Sequence, residues 1–379
     1  MVQAWAFPEI HVVGMSWTTP LGDDLDDVWH RLVAGEDGLR SWASALPLRN
    51  DLAAVVPTVD PAAPPRERQH RLATTTLLAA FRDAGLPVDQ PDVAVVIGTS
   101  YGAHLDEEEE VGSLSQWAVD STTAIGYPGD PICVSTACSA GADSVAVGAA
   151  LIAGGCCRVA VCGGVDIVTD AKRLGHSALG TMTAQRLRAF DERHGGMLLG
   201  EGAGFVVLQR GPGPARSYAR LRGYGASNDA AGMTTPDPEG DSVAMAVRRS
   251  LHASGVTLDD VAVVSAHGTG TPLNDAAEMN GLRTLFAGRP CSPLVFATKG
   301  ALGHSLGACG AIEAISVVQA LRTGLVPPIC GLDVPMAQAV GVVRPGGPHR
   351  FDPRRSDRTA GISVTLGFGG FNTSLVFSG

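Results

Sequence analysis

The chain has 379 residues, a formal net charge of −10 and a pI near 5.4. That length can bury a large core, as one big domain or two fused ones, and the acidity argues against nonspecific nucleic-acid binding. No apolar run is long enough to span a bilayer, and the first residues lack a charged segment leading into an apolar one, so a soluble, cytoplasmic protein is expected.

In chain order, Ile10–Gly14 reads as the opening strand. Helical periodicity follows over Asp24–Val33 and again over Leu72–Ala84, the second ending at Gly85 and Pro87. Val93–Ile97 is a strand, and the acidic run Asp106–Glu110 reads as a solvated loop. Ile132–Ser135, Val159–Cys162 and Phe205–Gln209 are further strands before a break at Gly211-Pro-Gly-Pro. The pattern then restarts: Ser242–Ser254 as a helix, Val261–Ser265 and Leu294–Ala297 as strands, and Gly361–Thr365 with Thr373–Phe377 as a closing hairpin. Short apolar strands alternating with helices predict parallel or mixed sheets covered on both faces.

Abundant glycine and few aromatics suit tightly packed layers. Lys172 and Lys299 are the only lysines. Most of the eight cysteines sit in apolar runs (Cys133, Cys156, Cys157, Cys162, Cys309) with no zinc-like spacing, which predicts buried free thiols in a reducing compartment. Pro131-Ile-Cys-Val-Ser-Thr-Ala-Cys leads into a small-residue helix ending at Gly154–Gly155. Pro293-Leu-Val-Phe-Ala-Thr-Lys leads, through Gly-His-Ser-Leu-Gly-Ala-Cys, into a comparable helix ending near Gly324. The two stretches read as equivalent pieces of a duplicated fold, each delivering a reactive residue near a strand end.

Cys138 stands where an apolar strand runs into a helix. Backbone N–H groups and the helix dipole there should stabilise a thiolate and lower its pKa. His267 follows a strand and enters the tight loop Gly-Thr-Gly-Thr-Pro, and His304 lies between Gly303 and Ser305. Lys299 at a strand end needs a buried partner, for which Glu313 is a candidate. Taken singly, each has an ordinary reading as a core thiol, a turn histidine or a surface lysine. Together they point to covalent catalysis on a thioester.

These residues resemble the β-ketoacyl synthases, the decarboxylating condensing enzymes of the thiolase superfamily. The resemblance runs from Val12-Val13-Gly14-Met15-Ser16, Pro20-Leu21-Gly22 and Trp29 through Thr136-Ala137-Cys138-Ser139 and Phe190-Asp191-Glu192-Arg193. It continues through Gly200-Glu201-Gly202-Ala203-Gly204, His267-Gly-Thr-Gly-Thr-Pro272, Thr298-Lys299 and Gly303-His304 to Gly367-Phe368-Gly369-Gly370-Phe371-Asn372. It implies a thiolase-like five-layer α/β/α/β/α fold in two duplicated halves. Residues 1–210 would carry the nucleophile and 211–379 the two histidines.

The resemblance also implies roles. Cys138 would take an acyl group from a carrier protein, and His267 with His304 would bind the malonyl thioester and stabilise its enolate. The backbone N–H groups of Cys138 and Phe368 would form the oxyanion hole, Phe368 would also gate, and Lys299 with Glu313 would orient the histidines. No metal or organic cofactor is implied, because substrates arrive on the phosphopantetheine of an acyl carrier protein. A homodimer, or a heterodimer with a related subunit, is implied as well. The Cys-His-His set is that of the elongating class. A degradative thiolase has a second cysteine where His304 stands, initiating synthases have asparagine there, and chain-length-factor subunits lack the nucleophile.

Three departures separate the chain from typical fatty-acid synthases. The interval from Val95-Val96-Ile97-Gly98 to Cys138 is short, Tyr101 replaces a smaller aliphatic residue, and Phe371 replaces threonine after Val364-Thr365-Leu366. Tyr101 reads either as a loop tyrosine or as a plug that reshapes the acyl pocket. The changes point to specialised metabolism on a short, aromatic or polyene chain. Arg66, Arg68 and Arg71, beside a helix, read as a docking patch for an acidic carrier or as an ordinary solvated helix start. Transfer of the acyl group to oxygen or nitrogen without elongation, or a pocket-shaping role in a heterodimer, are the alternatives.

Overall fold

The structure is a computed structural model that describes residues 7–106, 113–211, 217–289, 292–347, 349–353, 356 and 359–379. In chain order the elements are β1 (Ile10–Thr18), α1 (Leu25–Val33), β2 (Leu39–Ser41), β3 (Leu52–Ala54), α2 (Pro65–Asp83), β4 (Val93–Gly98), α3 (Gln116–Ala124) and β5 (Ile132–Val134). There follow α4 (Ala140–Ala153), β6 (Val159–Asp166), α5 (Asp170–Ala178), β7 (Gly202–Arg210), β8 (Ala219–Asn228), α6 (Asp241–Ser254), β9 (Val261–Ser265) and α7 (Pro272–Phe286). The chain closes with β10 (Leu294–Phe296), α8 (Lys299–Leu302), α9 (Cys309–Thr323), β11 (Leu325–Val326), β12 (His349–Arg350), β13 (Ala360–Gly367) and β14 (Phe371–Ser378).

Local chemistry sets many of these limits. Asp24 caps α1 by accepting the N–H groups of Asp26 and Asp27 at 3.0 and 2.8 Å. Pro65 opens α2, where its missing N–H costs nothing. The helix therefore starts seven residues before the predicted Leu72; its polar first turns carry no apolar period to read. Gly324 ends α9 in the left-handed conformation, with φ 66°.

The main sheet runs β10-β9-β13-β14-β8-β1-β7-β6-β4-β5. Read outward from the centre, β1-β7-β6-β4-β5 and β8-β14-β13-β9-β10 repeat one strand order. In both, the first two pairings are antiparallel and the outer two parallel. That repeat is the duplication expected from the Pro131 and Pro293 stretches. The two halves also join along their edges, where Ile10–Val12 pairs with Ala219–Leu221. Helices α4 and α9 pack against each other between the halves, α2 covers the outer face of the first and α6 that of the second. The result is the expected five-layer α/β/α/β/α stack. Every residue of β6 is buried, as a strand sandwiched between helices requires.

Among the described residues every cysteine is a free thiol, although Cys156 is exposed and not packed in an apolar run. No described helix is long and apolar enough to cross a membrane. Residues 107–110 of the acidic run and 212–214 of the Gly-Pro break lie outside the described residues.

Candidate active site

The first reactive element is the turn joining β5 to α4. Ala137 has φ 52°, a left-handed conformation costly for a residue with a Cβ, and Cys138 follows in a three-residue 3-10 turn. The turn is held from several sides. The Ser139 hydroxyl donates to Asp143 at 2.7 Å and to the Thr136 carbonyl at 2.9 Å, and the Thr136 and Thr373 hydroxyls also donate to Asp143. Cys138 is buried, and burial pushes its thiol up to about 11. The Lys299 charge and a hydrogen bond from the Phe368 backbone pull it down, while the carboxylates Asp166 and Glu313 push it up. The expected resting thiolate is therefore corrected. Helix position alone does not offset the loss of water around the sulfur.

The second half supplies the histidines. After β9 the chain turns through Gly268 (φ 47°) and Gly270 (φ 77°). Glu278 on α7 takes the N–H groups of His267 and Gly268 at 2.6 and 2.8 Å. Asp275, one helical turn earlier, takes those of Gly270 at 3.0 Å and Phe190 at 2.7 Å. The Lys299 ammonium has three acceptors: Glu313, the His267 carbonyl at 2.6 Å and His267 Nδ1 at 3.1 Å. Glu313 also accepts from Thr365 at 3.0 Å. Burial opposes a charge on Lys299, but the acidic groups around it outweigh burial and hold its pKa above the usual value.

His304 sits between α8 and the 3-10 turn Leu306–Ala308. Its N–H donates to the Leu198 carbonyl at 2.8 Å, and its Nδ1 accepts the Leu306 N–H at 3.2 Å. The two imidazoles meet edge to face with centroids 5.2 Å apart. Burial, reinforced by Lys299, drives both well below 6.5, so both are neutral. Since each Nδ1 faces a donor, each ring carries its proton on Nε2. The pair therefore presents two N–H donors and no base on its Nε2 side.

Cys138, His267, His304, Thr181, Met197 and Phe368 line one open cavity of about 250 Å³. The half-buried Phe368 ring lies 5.9 Å from the His176 ring. His267, Cys309 and Glu313 bring three potential metal-ligand atoms within 4.8 Å of one another, but the Lys299 ammonium already bonds Glu313 and His267 there. A cation already fills the role a metal would take.

Two expectations about the surroundings are corrected. Tyr101 is 43% exposed and does not line the cavity. The tight turn at Tyr101–Gly102 is tied to α2 by the Ala103 N–H on Gln69 at 2.8 Å, and the tyrosine ring ends edge-on to His104. Arg68 is buried, paired with Glu201, bonded to the Val168 carbonyl at 3.0 Å and stacked on Trp42. It holds the core together and is unavailable for docking. Arg66 and Arg71 are exposed, and Arg66 reaches Asp120 at 3.2 Å. Reading the sequence missed Glu278 and Asp275. The signal was present as two acids three residues apart, just inside a helix opened by Pro272.

A strained cysteine turn at a helix entry, facing two Nε2–H imidazoles across a thiolase-like duplication, defines a condensing acyltransferase. Residues 8–212 match the Beta-ketoacyl synthase, N-terminal domain, and residues 218–333 the Beta-ketoacyl synthase, C-terminal domain. The chain belongs to the β-ketoacyl synthase family and is an enzyme of that class. It is 31% identical over 413 residues to the 3-oxoacyl-[acyl-carrier-protein] synthase 2 of Vibrio cholerae, covering 97% of this chain and 98% of that one. It is 30% identical to the mitochondrial 3-oxoacyl-[acyl-carrier-protein] synthase of Arabidopsis thaliana, covering 97% and 92% of the two chains. Among solved structures it is similar to the ishigamide ketosynthase/chain length factor, with a TM-score of 0.87, 27% identity, and 98% and 99% of the chains covered.

Proposed function

We propose that the protein condenses a Cys138-bound acyl chain with a malonyl unit on an acyl carrier protein, releasing carbon dioxide and leaving a β-ketoacyl carrier. In acylation, Cys138 Sγ attacks the carrier thioester, loses its proton, and the carrier thiol departs protonated. The malonyl thioester carbonyl then accepts from Nε2–H of His267 and His304. Loss of carbon dioxide leaves its electron pair as an enolate that these two donors stabilise. The enolate carbon attacks the acyl carbonyl, whose oxygen accepts from the Cys138 and Phe368 N–H groups. Collapse breaks the acyl–sulfur bond and frees Cys138 as a thiolate, which takes up one proton from solvent to restore the thiol. Lys299, with Glu313 behind it, keeps the proton off His267 Nδ1.

The observation carrying this reading is the convergence of two neutral Nε2–H donors on the cavity that holds Cys138. Relatives named 3-oxoacyl-[acyl-carrier-protein] synthase support it. The reading needs no bound cofactor, places the enzyme in the cytoplasm as a dimer of identical or related subunits, and divides the chain at 210/211. Arg66 and Arg71 serve carrier docking. The short interval before Cys138, together with Phe371, favours a specialised acyl chain.

The test is intact-protein mass spectrometry with candidate acyl carriers, followed by malonyl carrier. An acyl adduct on Cys138 and then carbon dioxide release are expected. An adduct discharged to oxygen or nitrogen without carbon dioxide would establish plain acyl transfer, and neither event would leave a pocket-shaping partner subunit.

A further inference from the structure

Asp166, at the end of β6 in the first half, is fully buried; its charge raises the Cys138 pKa, but no step of the proposed condensation uses it. One of its carboxylate oxygens accepts the Ser100 N–H at 2.8 Å, the Ser100 hydroxyl at 2.6 Å and the Gly307 N–H at 3.0 Å. The other accepts the Ile167 N–H at 3.1 Å and the Lys172 ammonium. Lys172, itself buried, also donates to the Ile167 carbonyl at 3.0 Å. The two lysines of this chain thus each neutralise a buried carboxylate beside the condensing site, and only the Lys299 pair touches a histidine directly.

The Gly307 contact crosses between the halves. Leu306 has φ 50° where Ala137 has φ 52°, and each opens the 3-10 turn that enters α9 or α4. Gly307 therefore stands in the second half where Cys138 stands in the first. A Cβ there would lie 2.4 Å from the Ser100 backbone nitrogen, so the turn is pressed against β4's exit and cannot carry a side chain. One residue back, the Leu306 N–H donates to His304 Nδ1 at 3.2 Å. A left-handed leucine is strained and persists only where its neighbours over-determine it. The charge-assisted bond from Gly307 to Asp166 is such a restraint.

We infer that Asp166 is a positioning residue for His304: by anchoring the Gly307 amide from the opposite half, it sets the strained Leu306 turn, whose N–H keeps His304 in the Nε2–H form that faces the cavity. Lys172, bonded to the other Asp166 oxygen, holds the carboxylate in the orientation that meets Gly307. The inference rests on the proposed role of His304 in decarboxylation.

The test combines partial reactions with 15N-histidine NMR of the full chain, His304 being assigned by its loss in His304→Ala. In wild type, His304 is expected protonated on Nε2 with Nδ1 accepting; protonation on Nδ1 overturns the inference without any variant. Asp166→Asn is expected to lower malonyl-carrier decarboxylation roughly 10- to 100-fold, the cost of slight misplacement, while acyl-Cys138 still forms and the single Nε2–H signal is lost. Equal loss of both partial reactions in folded Asp166→Asn overturns it. Lys172→Met should show the same split, decarboxylation falling while acyl-Cys138 still forms; unchanged decarboxylation in this variant overturns the part assigned to Lys172. A wild-type enzyme that neither takes an acyl group nor releases carbon dioxide defeats the proposed function instead, while the His304 signal still reports on the Asp166 network.

Discussion

At the residue scale the site works by protonation state. Cys138 begins as a buried thiol and the histidines begin as neutral donors, so in the proposed reaction attack at sulfur and stabilisation at the enolate oxygen fall to different groups. Cys138→Ala should abolish the acyl adduct in intact mass spectra. His304→Ala should leave acylation more intact than condensation, and the reverse order would mean the roles are exchanged. With burial holding the thiol at about 11, alkylation of Cys138 by iodoacetamide should climb roughly tenfold per pH unit through the neutral and mildly alkaline range. A rate that levels off near neutrality would show a resting thiolate. Lys299→Met leaves Glu313 as an uncompensated buried carboxylate. It should cost about 3–5 kcal/mol in denaturant unfolding and free His267 Nδ1 to take the proton, depressing decarboxylation as well.

At the element scale, α4 and α9 carry the two equivalent turns and fix their separation. Gly310 on α9 is the point of close approach, where a Cβ would sit 2.6 Å from the Ala142 backbone nitrogen of α4. Alanine is intrinsically the better helix former by about 1 kcal/mol. Here the obstacle is backbone, which cannot swing aside, so the clash decides the sign. Gly310→Ala should lower the thermal midpoint by a few degrees and slow condensation, as measured by calorimetry and turnover on one preparation. The periodicity of α9 could not reveal this. Nearly all its residues are buried, because both sides of the helix meet protein.

At the scale of the whole molecule, the proposed docking would bring an acidic carrier to an acidic chain, and burial of Arg68 narrows the candidate patch to Arg66 and Arg71. Reversing both to glutamate should weaken carrier-dependent turnover severalfold while sparing acylation by a small thioester analogue. Loss of both activities would count against docking. Arg68→Glu should instead destabilise the fold, because it faces Glu201 in the core. An acyl-carrier series will show whether long saturated chains are extended best, which would remove the case for a specialised product.

Much of the fold and the make-up of the candidate site was legible because it is local. Strand limits such as Val261–Ser265 follow from short apolar runs, the duplication from two similar strand-to-helix stretches, and Cys138, His267 and His304 from the glycine-rich turns around them. Lys299 with Glu313 was legible as well, since a lysine at a buried strand end has few ways to be neutralised. What the sequence could not decide depends on contacts between distant segments. Arg68 is buried by Glu201, 133 residues away, and the Gly307 amide is held by Asp166 across 141 residues. The Tyr101 ring is turned to solvent by a loop tied to α2. The pKa of Cys138 belongs to the same class. A helix terminus is visible in a string of letters, but how completely folding removes water from a sulfur is settled only when the layers close.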